Sequence, residues 1–400
     1  MKAENEAISE GFTHKGHSRL LLPVLGLSVL STWLVTVTFQ LLLLDIARSF
    51  EVQVGIAGLT ASVGAISGVV FGLLMAVLSV RFNHKMFLLA GLVCTCLAAL
   101  GFFLAPNFFL LLVPNIGVGA GIAMVTAMAY SIIGDVYPLE KRGRAIGVIV
   151  SATTLAYVIG APMIDLIADW GGWRLVMIFL SLPVTLVSLG LAAVVIPNKL
   201  SHQPQEKREP FSVGIKLAFS SRSTIAALAV TMLMISESGI GFYAVSFFRE
   251  QFSMTIDGGA VFTIVGSSLG AVGGIVSGLL INRLGRKRLG TFAGVIAGLI
   301  TVSFMFIPTY ELSYGLGIAR FWFSAMTFTA GGSLVIEQLP KFRSTMMSLN
   351  TAFMNLGILL ASLTAAIVLN FQAMGLALGS LGILGAVVWI SLVKEPVKTK

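Results

Sequence analysis

Twelve long apolar runs are the feature that most constrains the fold of this chain. Each run has 20 or more residues, about the length a helix needs to cross the roughly 30 Å hydrocarbon core of a bilayer. Lipid offers the backbone no hydrogen-bond partners, so a segment inside it has to be helical. We therefore predict an all-α integral membrane protein with spans one to twelve at 20–44, 55–80, 86–105, 108–134, 145–168, 174–196, 223–248, 259–281, 289–308, 313–336, 345–369 and 374–393.

Composition excludes the soluble classes of protein. Charged residues make up 11% of the chain, hydrophobic residues 56%, and the mean hydropathy is +0.96, whereas an average soluble domain is about a quarter charged. Cys94 and Cys96 lie in an apolar run without a nearby histidine, which indicates neither a disulfide framework nor a metal site. The first run follows a polar tail without a cleavage site, so we expect a retained helix. No cofactor is expected.

Basic residues are divided unequally between the two sides of the membrane. The side with both termini carries 22 of the 26, and the other side carries Arg48, Arg174 and Arg249. We call these sides the basic face and the opposite face. Positive loops mark the cytoplasmic side, so we expect both termini in the cytoplasm and the protein in the plasma membrane. The net charge of +9 then faces anionic lipid and does not indicate nucleic acid.

The chain repeats itself at an offset of about 202 residues. This offset takes Arg81 to Arg283 and Asp135 to Glu337, and it maps the small residues of span two onto those of span eight: Gly64, Gly68, Gly72 and Ala76 onto Gly266, Gly270, Gly274 and Gly278. Small residues every four positions favour close helix packing, and parallel repeats suit alternating access. The predicted domains are a tail, a six-helix bundle, a linker, a second bundle and a tail, at 1–19, 20–196, 197–222, 223–393 and 394–400.

These features resemble the major facilitator superfamily over essentially the whole chain. Its motif G-x-x-x-D-R-x-G-R-K follows spans two and eight. The first copy is decayed to Arg81 and Lys85, and the second reads Gly278, Asn282, Arg283, Leu284, Gly285, Arg286 and Lys287. Gly160-Ala161-Pro162 in span five resembles the Gly-Pro motif of the twelve-span drug:proton antiporters. The resemblance implies two pseudo-symmetric six-helix halves around a central cavity.

Two ionisable side chains lie near the middle of the predicted membrane, Glu237 in span seven and Arg320 in span ten. They are roughly 21 Å and 25 Å from the basic face at 1.5 Å per residue. Such groups are costly inside a span and indicate function, and the resemblance implies that spans seven and ten both line the cavity. Two interpretations remain open: a fixed ion pair that stabilises the C-terminal half, or a proton carrier, Glu237, that Arg320 switches.

Polar and aromatic residues in other spans are further candidates for substrate contact. On span one, Ser28, Thr32, Thr36 and Gln40 recur every four residues and form one stripe. Hydroxyls often bond to their own helix, so Gln40 with Thr36 is the stronger pair. Asn115 stands where proton antiporters of the superfamily have an arginine. The aromatic candidates for stacking, which more often pack, are Tyr130 and Trp322 together with Trp33 and Phe321.

Charged residues at the basic face are candidates for a gate. Asp135 and Glu337 end spans four and ten, near Arg81 and Arg283. We expect these acids and arginines to form charge pairs that hold the basic face closed and break when it opens. The remaining gating candidates are Gly285 and Arg286 of the loop motif, although Arg286 also fits an ordinary positive loop, and Gly160 and Pro162 of span five.

The function predicted from these observations is secondary active transport of a small organic solute by alternating access. All four histidines lie in the tail or loops, so the convergent site that an enzyme needs is not expected. We expect a monomer in the bilayer with a small solute and protons as partners. Proton-coupled efflux is favoured by the span-five motif. Proton-coupled uptake or exchange of a small organic anion at Arg320, or a non-transporting sensor on the same fold, remain alternatives.

Overall fold

The computed structural model describes residues 17–78, 83–137, 139–197 and 211–395, and this part of the chain folds into helices. Spans one to six comprise His17–Ser49, Val54–Ala57 with Leu59–Leu78, His84–Leu104, Phe108–Leu112 with Pro114–Val136, Leu139–Val158 with Gly160–Gly171, and Trp173–Val176 with Leu182–Val195 after a π turn at Met177–Ser181. Spans seven to twelve comprise Arg222–Ser238 with Gly241–Gln251, Ile256–Leu284, Arg286–Phe304, Tyr310–Gln338, Arg343–Val368 and Phe371–Leu392.

Span ten differs from the other spans in composition. Eleven helical segments of the described chain are long and apolar enough to cross a membrane, and span ten is not among them. Its helix has 29 residues and is therefore about 43 Å long, which is ample for a bilayer. The charged residues Glu311, Arg320 and Glu337 lie within it. Span ten packs against spans eight and nine, and protein encloses its buried Arg320.

The linker between the two halves contains a helix that the sequence analysis did not predict. Phe211–Ser220 forms ten helical residues ahead of span seven. Gly214 of this helix lies against the start of span eleven, and a Cβ at this position would be 2.8 Å from the Phe342 ring and 2.9 Å from the Thr345 hydroxyl. The linker is therefore attached to the C-terminal half.

Among the described residues, the core that the two halves share lies near the opposite face. One cluster of buried side chains includes residues of both halves, among them Leu41, Phe102, Phe247 and Phe262. A second cluster toward the basic face contains residues of the N-terminal half, and a third contains residues of the C-terminal half and the linker helix. The halves are therefore closed together at the opposite face and apart at the basic face.

The small-residue stripes of spans two and eight pack closely over part of their length. A Cβ at Gly68 would lie 2.8 Å from Asn355 of span eleven, and a Cβ at Gly266 would lie 2.6 Å from the Phe321 ring. Toward the basic face, a Cβ at Gly72 or Gly278 would have no neighbour within 4 Å. The stripe that the sequence predicts is thus a contact surface near the opposite face and borders open space near the basic face.

Gly55→Ala should weaken closure of the opposite face, because the new methyl group would overlap the carbonyl oxygen of Ala365 in span eleven. Overpacking costs about 1–3 kcal/mol, and about 1.4 kcal/mol is a tenfold change in an equilibrium. Ser362, which is buried and contacts Ser62 across the interface, can report on closure. Thiol labelling of Ser362→Cys, with Cys94 and Cys96 replaced, should become about tenfold faster.

Gly72→Ala is the matched control on the same span, because a methyl group there meets open space. It should leave the labelling rate unchanged. Equal acceleration by both substitutions would contradict the one-sided closure of the halves.

Candidate functional site

Glu237 lies where the first helix of span seven ends, and hydrogen-bond donors surround its carboxylate. The side chain is 2% exposed. Oε1 accepts a hydrogen bond from the Thr301 hydroxyl of span nine. Oε2 accepts from the Ser238 hydroxyl at 3.3 Å and from the Ser324 hydroxyl of span ten at 3.4 Å. Both oxygens are thus satisfied, as a buried polar group requires.

Arg320 completes this environment, and the structure brings the two predicted ionisable residues together. Its Nη1 is 3.6 Å from Oε1 of Glu237, and its side chain is 3% exposed. The guanidinium lies 5.0 Å from the centroid of the Phe321 ring, within the range of a cation–π contact. It also lies against the break in span seven, because a Cβ at Gly241 would be 2.7 Å from Nη2. Protein therefore encloses the arginine on several sides.

Glycine residues allow the neighbouring spans to approach Glu237. A Cβ at Gly382 of span twelve would lie 2.7 Å from Cγ of Glu237. Spans nine and twelve also meet at glycine, since a Cβ at Gly298 would lie 2.9 Å from the carbonyl oxygen of Gly379. Close backbone approach of this kind is typical of packing between membrane helices. It brings Thr301 within reach of the carboxylate.

A small cavity, continuous with open solvent, extends from Glu237 toward the basic face. Its polar lining includes the pair Thr231 and Asn350, whose side chains are hydrogen bonded at 3.0 Å. Glu237 lines the cavity and Arg320 does not. The full lining is Val230, Thr231, Met234, Ile235, Glu237, Ser238, Ser324, Thr327, Phe328, Gly331, Gly332, Asn350 and Trp389.

The polar stripe of span one lies apart from this cavity. The Ser28 and Thr32 hydroxyls are buried and donate to carbonyls of their own helix, each at 2.8 Å. Thr36 is half-buried. Gln40 is buried, and its Nε2 donates to the carbonyl oxygen of Gly241 at 3.0 Å. Gln40 thus contacts the other half of the protein, and a contact of Gln40 or Thr36 with substrate stays a prediction.

The remaining predicted contact residues occupy three different settings. Asn115 is buried, and its amide donates to the carbonyl of Leu111 at 3.0 Å. Tyr130 is 40% exposed. Trp322 is half-buried and packs on span eight, where a Cβ at Gly273 would lie 2.8 Å from its carbonyl oxygen. Their role in substrate binding stays a prediction.

Glu337 pairs with Arg286 in this structure, where the halves are apart at the basic face, and not with Arg283, the partner predicted for the closed face. Oε1 of Glu337 is 2.8 Å from Nη2 of Arg286, while Arg283 is exposed. The physical reason is Gly285, which has a φ of +80° between spans eight and nine. Glycine adopts this left-handed conformation at no steric cost, and the next residue, Arg286, then reaches Glu337.

The equivalent position in the N-terminal half has a different partner. Asp135 lies 2.8 Å from Nδ1 of His84, at the start of span three. Arg81, its predicted partner, lies outside the described residues. The gating role of these acids and arginines stays a prediction.

The span-five motif lies at a helix break beside span one. The helices of span five end at Val158 and begin again at Gly160. A Cβ at Gly160 would lie 2.6 Å from Cδ2 of Leu34, so the glycine permits close approach of span one. Pro162 is exposed. A gating role for Gly160 and Pro162 stays a prediction.

Two contacts between spans one and seven escaped the sequence analysis. Arg249 forms a two-pronged ion pair with Asp45 near the opposite face, with Nη2 2.9 Å from Oδ1. These residues are 204 positions apart, and Gln40 and Gly241 are 201 apart, close to the repeat offset of 202. Residues at equivalent positions of the two repeats therefore face each other. The repeat offset could thus have predicted these contacts between spans one and seven. Thr301 and Ser324, which donate to Glu237, also escaped the sequence analysis, because no sequence pattern marked these hydroxyls as candidates.

Two helical bundles that close on one side, with a one-sided cavity and a mid-membrane ion pair, have the architecture of a secondary transporter. A family model described as the Major Facilitator Superfamily matches residues 21–321. The chain belongs to this superfamily.

Solved structures of transporters have the same fold. A bacterial homolog of the human lysosomal transporter Spinster, in an inward-facing and unoccupied conformation, is 18% identical, with 94% of each chain covered and a TM-score of 0.69. The nucleoside transporter NupG is 12% identical, with 93% of this chain and 98% of that chain covered and a TM-score of 0.74. The TM-scores indicate a shared fold, and at identities this low the likeness extends to the fold alone.

Arg320→Gln should destabilise the protein strongly, because it leaves the Glu237 carboxylate buried without its counter-charge. Breaking one side of a buried pair costs about 3–5 kcal/mol, so the midpoint of thermal unfolding in detergent, followed by tryptophan fluorescence, should fall clearly. Adding Glu237→Gln should recover part of the loss. Arg283→Gln, at an exposed position, is the control and should stay within about 0.5 kcal/mol. No recovery in the double variant would argue against a stabilising pair.

Proposed function

We propose that the protein is a proton-coupled exporter of a small organic solute that works by alternating access. The observation that carries this proposal is the position of Glu237, a buried carboxylate in the lining of a cavity whose other lining residues lie toward the basic face. Such a carboxylate can hold a proton or bind a solute from the cavity, so that binding of one displaces the other. The transporter acts as a monomer in the bilayer and needs no cofactor.

The unequal distribution of basic residues supports the orientation. With the basic face in the cytoplasm, both termini are cytoplasmic and the protein lies in the plasma membrane. The cavity beside Glu237 then opens inward, and the shared core of the two halves closes the outside. In this state a solute enters from the cytoplasm, as export requires.

Glu237 is proposed as the proton carrier. It is one of two ionisable side chains near mid-membrane, and ionisable groups there mark proton pathways. Its carboxylate faces Arg320 at 3.6 Å and accepts hydrogen bonds from three hydroxyls. These groups support the charged form when the outside is closed. When the outside opens, the carboxylate takes a proton from that side, and it releases the proton after the cavity opens to the cytoplasm.

The cavity favours a cationic or uncharged solute over an anion. Glu237 contributes negative charge to the lining, and Thr231, Ser324 and Asn350 contribute hydrogen-bonding groups. Arg320, the residue that would bind an anion, is 3% exposed and is not part of the lining.

Glu237→Gln should abolish proton-driven transport and preserve exchange that needs no proton, because glutamine cannot change charge, its oxygen still accepts from a hydroxyl and its amide can donate to the hydroxyls that face the other oxygen. The probe is the organic cation ethidium in proteoliposomes, measured with a pH gradient and in counterflow. Glu250→Gln, the same change at an exposed position, should behave like the wild type. Proton-driven ethidium transport in a well-folded Glu237→Gln variant would overturn the proposal. Absence of counterflow for cationic, neutral and anionic compounds alike would favour the sensor.

A further inference from the structure

One hydrogen bond joins the N-terminal half directly to the segment that holds Glu237. Nε2 of Gln40 in span one donates to the carbonyl oxygen of Gly241 in span seven at 3.0 Å. Gln40 is buried, at 8% exposure. The bond crosses the interface that the closed opposite face forms, so it exists in the closed state and has to break when the two halves separate there.

The Gly241 carbonyl belongs to a break in span seven. The helix ends at Ser238 and a new one begins at Gly241. Between them the chain makes tight turns, in which the Ile240 amide donates to the carbonyl of Glu237 at 3.1 Å and the Phe242 amide donates to the carbonyl of Gly239 at 3.0 Å. Glu237 is therefore part of the same broken segment that Gln40 contacts.

Gly241 also contacts Arg320, through the side that lacks a side chain. A Cβ at Gly241 would lie 2.7 Å from Nη2 of Arg320, while Nη1 of Arg320 lies 3.6 Å from Oε1 of Glu237. The carbonyl oxygen of Gly241 thus accepts the hydrogen bond from Gln40, and the Cα of Gly241 packs against the guanidinium of Arg320. A shift of Gly241 necessarily changes the surroundings of the ion pair.

We infer that Gln40 is a positioning residue that makes the Glu237–Arg320 pair depend on closure of the two halves. With the opposite face closed, the Gln40–Gly241 bond holds the break in place and Arg320 stays beside the carboxylate. When that face opens, the bond is lost, the break relaxes and Glu237 accepts a proton. By linkage, protonation of Glu237 favours opening of the opposite face. The inference rests on the proposed function of Glu237 as proton carrier.

The groups around Glu237 allow this assignment. Within the described residues, Arg320 of span ten is the charged group that faces its carboxylate. Span nine presents the Thr301 hydroxyl, and span twelve presents Gly382. Span eleven packs on span seven through uncharged residues, with Ala361 against Gly239 and Gly357 against Ile235.

The test measures opening of the opposite face as a function of pH, with protons as the only ligand. The reporter is thiol labelling of Ser362→Cys in proteoliposomes, with Cys94 and Cys96 replaced. Each labelling rate is divided by that of a free cysteine at the same pH, because the thiolate is the reactive form, and labelling rate below means this corrected rate. In the otherwise unchanged protein, acid should raise the corrected rate at least about fivefold, the lower end of coupling between two sites. The corrected rate of Glu237→Gln should not change with pH.

Gln40→Met removes the donor at similar side-chain volume and should reduce the acid-to-alkaline ratio of labelling rates toward one. Thr38→Val is the matched control, because this buried hydroxyl on the same span bonds to its own helix, and it should keep the full ratio. Gly55→Ala controls for weakened closure without a role in coupling. It should raise the labelling rate by the same factor at every pH and leave the ratio intact.

The outcomes separate the two proposals. If Glu237→Gln retains the pH dependence, the proton-carrier proposal fails. If Glu237→Gln loses it and Gln40→Met keeps the full ratio, the role of Gln40 fails alone. Should Gln40→Met not fold, Gly241→Ala provides the second test, because its methyl group displaces Nη2 of Arg320. It should also lower the ratio, and a full ratio in Gly241→Ala would overturn the inference.

Discussion

The structure depends on the cost of placing one carboxylate and one guanidinium in the middle of a membrane. Lipid offers no hydrogen-bond partners there, so Glu237 and Arg320 depend on partners supplied by protein. The break in span seven, the hydroxyls of spans nine and ten and the glycine of span twelve together meet this requirement. Glu237 borders the cavity and Arg320 does not, although both side chains are almost fully buried. The same packing that stabilises the pair thus places its two members differently relative to the cavity.

Closure at one face is the second constraint, and it follows from the duplication. Equivalent heights of spans one and seven meet near the opposite face, as Asp45 with Arg249 and Gln40 with Gly241 show. There the two halves share one core, and toward the basic face each half packs around its own. Packed cores have discrete arrangements, and under the proposed function relative movement of the halves exchanges one closed face for the other. Gln40 lies at the interface between the halves and contacts the segment that holds the buried ion pair.

Prediction from sequence succeeded where one physical rule dominates. Span length follows from bilayer thickness, and the repeat is visible because both halves obey the same packing rules. Prediction failed where the local geometry of a few residues determines which side chains come into contact. Glu337 pairs with Arg286 and not with Arg283, because the left-handed turn at Gly285 places Arg286 within reach of the carboxylate. The hydrogen bond from Gln40 to the break in span seven was likewise not predicted, because it depends on where that helix is interrupted.

By itself, the sequence determined that the chain crosses the membrane in two related sets of helices and that Glu237 and Arg320 are its mid-membrane charges, because scarce charge in an apolar chain is visible residue by residue. Only the tertiary structure decided which partners these charges have, which of them borders the cavity and which face is closed. These properties depend on distances between spans far apart in sequence, and hydropathy along the chain carries no information about such distances.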